Sequence, residues 1–270
     1  MFLYTEEINL LKEQANSKKK INTKYTLFGV PFDSTETTLP GQRKGPNSIR
    51  AALLSIEADD LFERITDIGN LIVVEGNASK TLFREEETID DLLKHSNSTI
   101  PFILGGEHTI TIGAIKSLLK KYPDFDILCF DAHYDLKDEW QTEKINHSTL
   151  MRRVFELNKN LAFIGAREYS KEEELFLKKN NIDKNLERIK ESDKPLYISI
   201  DADVFDPSII PGVSDSVPQG LSIKQFFDEL KIFERRKIIG IDFVEFNPLI
   251  EEYTTSRNIA YIIKKVMDIF

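Results

Sequence analysis

Ile127-Leu128-Cys129-Phe130 runs directly into Asp131-Ala132-His133-Tyr134-Asp135. An apolar run without alternation reads as a strand buried on both faces, the usual setting of a parallel strand. The polar cluster marks where that strand leaves the core. The same construction recurs along the chain. Phe102–Leu104 leads into Gly105-Gly106-Glu107-His108, and Leu196–Ile200 into Asp201-Ala202-Asp203 and then Asp206-Pro207. Ile238–Val244, with Asp242 inside the run, leads into Glu245-Phe246-Asn247-Pro248. Further strands are expected at Tyr25–Val30, Leu71–Val74 and Leu161–Ile164. Apolar residues three and four apart predict helices at Pro46–Ile56, Glu87–His95, Ile110–Lys121, Lys171–Lys179 and Ile223–Phe233, with Asn47 and Ser222 as caps. Strand alternating with helix predicts an α/β fold with a mostly parallel sheet.

Composition sets the class. The chain has 270 residues, 41% of them hydrophobic and 30% charged, enough apolar material for a packed core. No low-complexity linker or internal repeat marks a boundary, so residues 1–270 are expected to form one domain. With 36 basic and 45 acidic residues the net charge is −9, which argues against a nucleic-acid backbone as partner. The single cysteine, Cys129, has no partner for an internal disulfide, as expected of a cytoplasmic protein. No apolar run reaches the ~18 residues that a membrane span needs. The N-terminus MFLYTEEINLLKEQ carries acids where a signal peptide carries bases, so neither secretion nor membrane insertion is expected. The Lys18–Lys20 run reads as a solvated loop. Thr35–Gly45 and Asp138–Asn146 read as polar loops.

In open parallel sheets, ligands bind outside the carboxyl ends of the strands. Four strands here deliver histidine and carboxylate groups to that edge. In an extended segment, positions i, i+2 and i+4 share a face, which would align Asp131, His133 and Asp135, and likewise Asp201 with Asp203. A single aspartate after a strand is ordinarily a cap or turn residue. Caps arising independently are not expected to pair at spacing two in both segments. Together with His108, the cluster holds two imidazoles and the carboxylates of Asp131, Asp135, Asp201 and Asp203. Such anions repel unless cations lie among them, and two divalent ions balance the charge. Imidazole and carboxylate ligands without thiolate suit Mn²⁺, with Zn²⁺, Fe²⁺ and Co²⁺ as alternatives. Bridging carboxylates would hold the ions roughly 3.5–4 Å apart, as in two-metal hydrolytic sites. His95, in a polar stretch, reads as a surface residue.

The set GGEH, DAHYD, SIDADVFDP and EFNP, in that order, resembles the ureohydrolase family of arginases, agmatinases and relatives. The likeness runs from about Phe28 to the C-terminus. It includes the segment PFDSTETTLPGQRKGPNSIR, similar to an agmatinase entry loop. It implies a three-layer α/β/α fold with an eight-stranded, mostly parallel sheet, two Mn²⁺ per chain, and trimers or hexamers. By the same resemblance, His108, Asp131, Asp135 and Asp201 would hold one manganese, and Asp131, His133, Asp201 and Asp203 the other. Asp131 and Asp201 would then bridge. Glu245 matches a glutamate that binds guanidinium, and His147 a histidine that assists proton transfer. Departures are Glu107 and Thr109 beside His108, a missing glycine near Thr35, and the stretch Val213–Gln219, which puts the substrate tail in question.

The chemistry so implied is hydrolysis of a guanidino group to urea and an amine. A metal-activated water would attack the guanidinium carbon, with Asp135 holding a proton, Glu245 orienting the cation, and His147 protonating the leaving amine. The substrate expected is agmatine or an amine-extended agmatine such as aminopropylagmatine, yielding a polyamine such as putrescine. The stretch Lys137–Glu143 offers acids rather than donors for an α-carboxylate, and the net negative charge steers dications. Arginase, guanidinobutyrase or formimidoylglutamase activity on the same scaffold is the alternative. A catalytically silent binding subunit is disfavoured, because every expected ligand and Glu245 are present.

Overall fold

The computed structural model describes residues 4–6, 23–57, 59–96 and 98–270. The Lys18–Lys20 run lies outside them. The strands are β1 (Thr5–Glu6), β2 (Tyr25–Val30), β3 (Ile65–Leu71), β4 (Ile100–Gly105), β5 (Asp126–Phe130), β6 (Leu161–Ile164), β7 (Leu196–Asp201) and β8 (Ile238–Val244). They form one eight-stranded sheet in the order β1-β3-β2-β4-β8-β7-β5-β6. Every pairing is parallel except that of β1 with β3. The four strands that carry the sequence motifs, β4, β8, β7 and β5, are therefore consecutive in space, although some 140 residues separate the first from the last in the chain.

The apolar runs lack alternation because both faces are covered. On β7, Leu196, Ile198 and Ile200 enter one core, and Tyr197 enters the other. The first core is closed by α1 (Gly45–Ser55), α8 (Ile223–Lys231) and α9 (Tyr253–Ile269), through Leu53, Phe226 and Ile263 among others. The second is closed by α3 (Ala78–His95), α4 (Thr111–Lys121) and α5 (Leu150–Leu157), through Ile89, Ile115 and Val154. The result is a three-layer α/β/α sandwich. Shorter helices are α2 (Asp59–Phe62), α6 (Lys171–Asn180) and α7 (Asn185–Lys190). No helix among the described residues is long and apolar enough to cross a membrane.

Three expectations need correction. The strand expected at Leu71–Val74 instead spans Ile65–Leu71. Asp67 and Asn70 disguise it, because both are partners of the fully buried Arg50. Arg50 Nε and Nη2 grip the two oxygens of Asp67 at 2.8 and 3.0 Å, and Nη1 donates to Asn70 Oδ1 at 2.7 Å. Asn47 does not cap α1 but lies inside it, since a 3-10 turn over Gln42–Lys44 leads straight into Gly45 and Pro46 occupies the first turn. The Asn47 side chain accepts from Asn70 instead. The third helix begins at Ala78, capped by Asn77, well before the expected Glu87. Ser222 does cap α8, in a reciprocal pair with Gln225.

The Arg50 cluster ties α1 to β3, and it yields a test. Arg50→Met leaves the Asp67 carboxylate buried without its cation and is expected to cost about 3–5 kcal/mol. Urea denaturation checks this, and the double variant Arg50→Met/Asp67→Leu should recover much of the loss.

Candidate metal centre and active site

The candidate ligands sit at or just beyond strand ends, Asp201 as the last, extended residue of β7, and turns aim Asp135 and Asp203. Asp135 adopts a left-handed φ of 50°, and Asp203 lies in a 3-10 turn over Ala202–Val204. These turns are folded around the carboxylates themselves. His133 N donates to Asp131 Oδ1 at 2.6 Å, and Asp203 N to Asp201 Oδ1 at 2.8 Å. Ala132 N donates to Asp203 Oδ1 at 2.9 Å, joining the β5 and β7 turns. Gly106 is required where β4 ends, because a Cβ there would meet Phe32 O at 2.0 Å. That close approach lets Gly106 N bond to Val30 O, and Gly106 O accept from Glu245 N at 2.9 Å.

The six expected residues converge. His108 Nδ1 lies 3.2 Å from Asp131 Oδ2, 3.1 Å from Asp201 Oδ2 and 3.6 Å from Asp135 Oδ2. It is nonetheless buried without a hydrogen-bond partner. A ring nitrogen facing three carboxylate oxygens would, once deprotonated, suit a shared cation. His133 Nδ1 lies 2.9 Å from Asp203 Oδ2 and 3.8 Å from Asp131 Oδ1. Asp131 thus presents one oxygen toward each histidine. Burial, with the charges of Asp203 and Asp135, pushes the Asp131 carboxyl up to about 7. For His133, burial is outweighed by the Asp203, Asp131 and Asp135 carboxylates, and its pKa rises to about 11. Such strain on ordinary protonation is what divalent ions would relieve, and these donors fit them.

Behind His108 lies a relay that the sequence reading passed over. Ser199 donates to Asp242 Oδ1 at 2.6 Å, so its oxygen, 2.9 Å from His108 Nε2, accepts the ring N–H. The tautomer with Nδ1 free for a metal follows. Asp242 also accepts from Tyr197 OH at 2.5 Å and Thr111 Oγ1 at 2.8 Å. The available signal was a carboxylate inside the apolar run Ile238–Val244.

Glu245 takes a left-handed φ of 64°. Its Oε1 accepts from His108 N at 2.5 Å, and its Oε2 from Gln42 Nε2 at 3.1 Å. Burial, then the Asp201 and Glu36 charges, holds its carboxyl well above the usual range. His147 is gripped by the loop after β2. Its Nδ1 lies 3.0 Å from Thr35 O, which fixes the proton there, and its Nε2 lies 3.2 Å from Thr37 Oγ1. Asp33 staples that loop by accepting from Gly41 N and pairing with Arg43. Thr35 also donates to Glu107 from its backbone and its hydroxyl, so the Glu107 and Thr109 departures pack against the missing-glycine position. Glu245, His147, Asp135 and Asp201 share one cavity of about 310 Å³. Glu36, expected only as part of a polar loop, also lines its wall, and of the stretch Lys137–Glu143, expected to offer acids, it is Lys137 that does so. His95 is on the surface, against Asp91.

If His108 carries a metal, its relay should set the affinity. Ser199→Ala removes the acceptor of the ring N–H and is expected to weaken Mn²⁺ binding about 10–100-fold without unfolding the chain. Chelator competition, with circular dichroism as the control, measures this.

The comparisons agree with this architecture. The N(1)-aminopropylagmatine ureohydrolase of Thermococcus kodakarensis is 34% identical over 262 residues, covering 90% of this chain and 89% of that protein. The agmatinase of Pyrococcus horikoshii is 32% identical over 239 residues, covering 82% and 83%. The crystal structure of the agmatine ureohydrolase of Thermoplasma volcanium matches with a TM-score of 0.82 at 29% identity, over 98% of this chain and 94% of that one. Residues 23–268 match the arginase family. With that match spanning the sheet from β2 to α9, this chain belongs to the arginase family.

Proposed function

We propose that this ureohydrolase cleaves the guanidino group of agmatine or of an amine-extended agmatine, releasing urea and a polyamine. The observation that carries the reading is the acid-lined cavity opening onto the histidine–carboxylate group. Glu36, Glu168, Asp215 and Glu245 line it, and Lys137 is the only lysine or arginine among the described residues that does. A cationic substrate suits such walls, whereas a buried, unpaired α-carboxylate costs several kcal/mol. The names of the relatives point the same way. Lys137 favours one second reading, a carboxylate-bearing guanidine such as guanidinobutyrate or arginine. Its ammonium, however, sits over the Trp140 ring at 4.0 Å.

In this reading His108, Asp131, Asp135 and Asp201 hold one ion, and Asp131, His133, Asp201 and Asp203 hold a second. The ions are taken to be Mn²⁺, which the oxygen-rich donor set supports. Bound there, they supply Lewis-acid polarisation and lower the pKa of water toward neutrality. Glu245 pairs with the guanidinium and orients its carbon. Asp135 takes a proton from the attacking water. The bond between the guanidino carbon and the chain nitrogen breaks, and His147 gives that nitrogen a proton from Nε2, the ring position not committed to Thr35. One domain, working in the cytoplasm as a trimer or hexamer, belongs to the same reading and rests on the family resemblance.

Urea release from the manganese-loaded protein should give higher kcat/KM for agmatine or aminopropylagmatine than for arginine or guanidinobutyrate. A lead for either carboxylate would overturn the substrate assignment. Asp131→Asn and Asp201→Asn should each lose activity and metal together. Glu245→Gln should keep its metal and lose substrate binding, while His147→Ala should lower kcat more than it raises KM.

A further inference from the structure

Glu36 has no part in the chemistry above, yet its side chain is only 3% exposed and lines the cavity beside Glu245 and His147. Its Oε1 accepts from Thr38 N at 2.6 Å, and its Oε2 from Gln42 Nε2 at 2.8 Å. The same Gln42 nitrogen lies 3.1 Å from Glu245 Oε2 and 2.9 Å from Ser214 Oγ. One fully buried amide therefore stands between two carboxylates on different segments of the chain.

Among the described residues no lysine or arginine pairs with either carboxylate. The Ser214 proton goes to Leu39 O at 2.7 Å. With Asn247 Nδ2 donating to Ser214 Oγ at 2.9 Å, the two hydrogens of the Gln42 amide are left to the two carboxylates, and neither gains a countercharge from them. Gln42 Oε1 is itself buried without any donor. Two buried carboxylates that face one cavity without a countercharge call for a cation that also donates hydrogen bonds. Guanidinium is such a group, with N–H bonds along its edges, no acceptor and a positive charge. An oxygen of each carboxylate lies within 3.1 Å of the same amide nitrogen, so the two are near enough for one cation to touch both. Glu36 Oε1 is 3.9 Å from His147 Nε2, whereas Glu245 Oε1 accepts from His108 N. A cation held by both carboxylates lies between the proton donor and the metal-binding group.

We propose that Glu36 and Glu245, spaced by the Gln42 amide, form a two-carboxylate clamp that grips the guanidinium of the substrate from two edges. The inference rests on the ureohydrolase reading and adds Glu36 to it as a specificity-determining residue. Glu36 holds no metal. It makes the site select a cationic head group and orients the leaving nitrogen toward His147.

The test compares the manganese-loaded wild type with Glu36→Gln, which keeps the acceptor for Thr38 N. The KM for agmatine should rise about 10–100-fold, the inhibition constant of methylguanidine should rise in parallel, and manganese content should not change. Glu36→Asp, which retains the charge, should fall between the two. An unchanged KM and inhibition constant would overturn the clamp, as would loss of manganese. If Glu36→Gln fails to fold, Gln42→Met, which leaves both charges and removes the spacer, must raise KM for the proposal to stand. A wild type that releases urea from no guanidine would sink the ureohydrolase reading and the clamp with it. That result is distinct from an active wild type whose variants bind normally.

Discussion

Like-charge repulsion at one edge of the sheet is the constraint on which the rest of the structure depends. Asp131, Asp135, Asp201 and Asp203 sit around two imidazoles, largely out of water. In that setting the carboxylates cannot all ionise without compensating positive charge, as the raised Asp131 carboxyl and the strongly basic His133 reflect. A sheet tolerates such a group only if its backbone holds every member in place. The order β4-β8-β7-β5 does so, by setting four distant motifs side by side. The backbone amides of Ala132, His133 and Asp203 add neutral donors that moderate the repulsion.

The same logic extends one layer inward. Asp242 is a fully buried carboxylate in the middle of β8, in register with Ile103 on β4 and Ser199 on β7. Three hydroxyls, from Tyr197, Thr111 and Ser199, meet it there. Ser199 passes that polarity to His108. A polar residue deep in the core therefore serves the imidazole at the rim. Its burial is compensated locally by hydrogen bonds rather than by a cation.

The parallel core and the histidine–carboxylate group were legible in the sequence for a common reason: both rest on local pattern. Apolar runs of four to seven residues marked β2, β5, β6 and β8 at nearly their observed bounds, and the His and Asp pairs lay directly beyond them. What escaped was non-local. Ile65–Leu71 was disguised because its polar positions are satisfied by Arg50 from a different element. Glu36 and Gln42 look like ordinary polar loop residues until the fold sets them against Glu245, more than 200 positions away. The mutual orientation of the Asp131 and Asp201 pairs was also inferred from extended geometry, whereas tight turns produce it. Helix α9 carries a regular apolar stripe through Ile259, Ile263 and Val266 and was open to reading, but the motif-bearing strands drew the eye away from it.

The loop after β2 is stapled at its base by Asp33 and reaches over the cavity with Thr35, Glu36 and Thr37. It takes no part in the sheet, while the coordinating side chains arise from strand ends embedded in it. Part of the cavity wall is thus inherited on a stretch of polypeptide separate from the motif-bearing strands. Mutational drift in that loop can change which molecule is welcomed, while the strand ends beneath keep their geometry. Divergence of diet without loss of chemistry is the evolutionary freedom that this division grants.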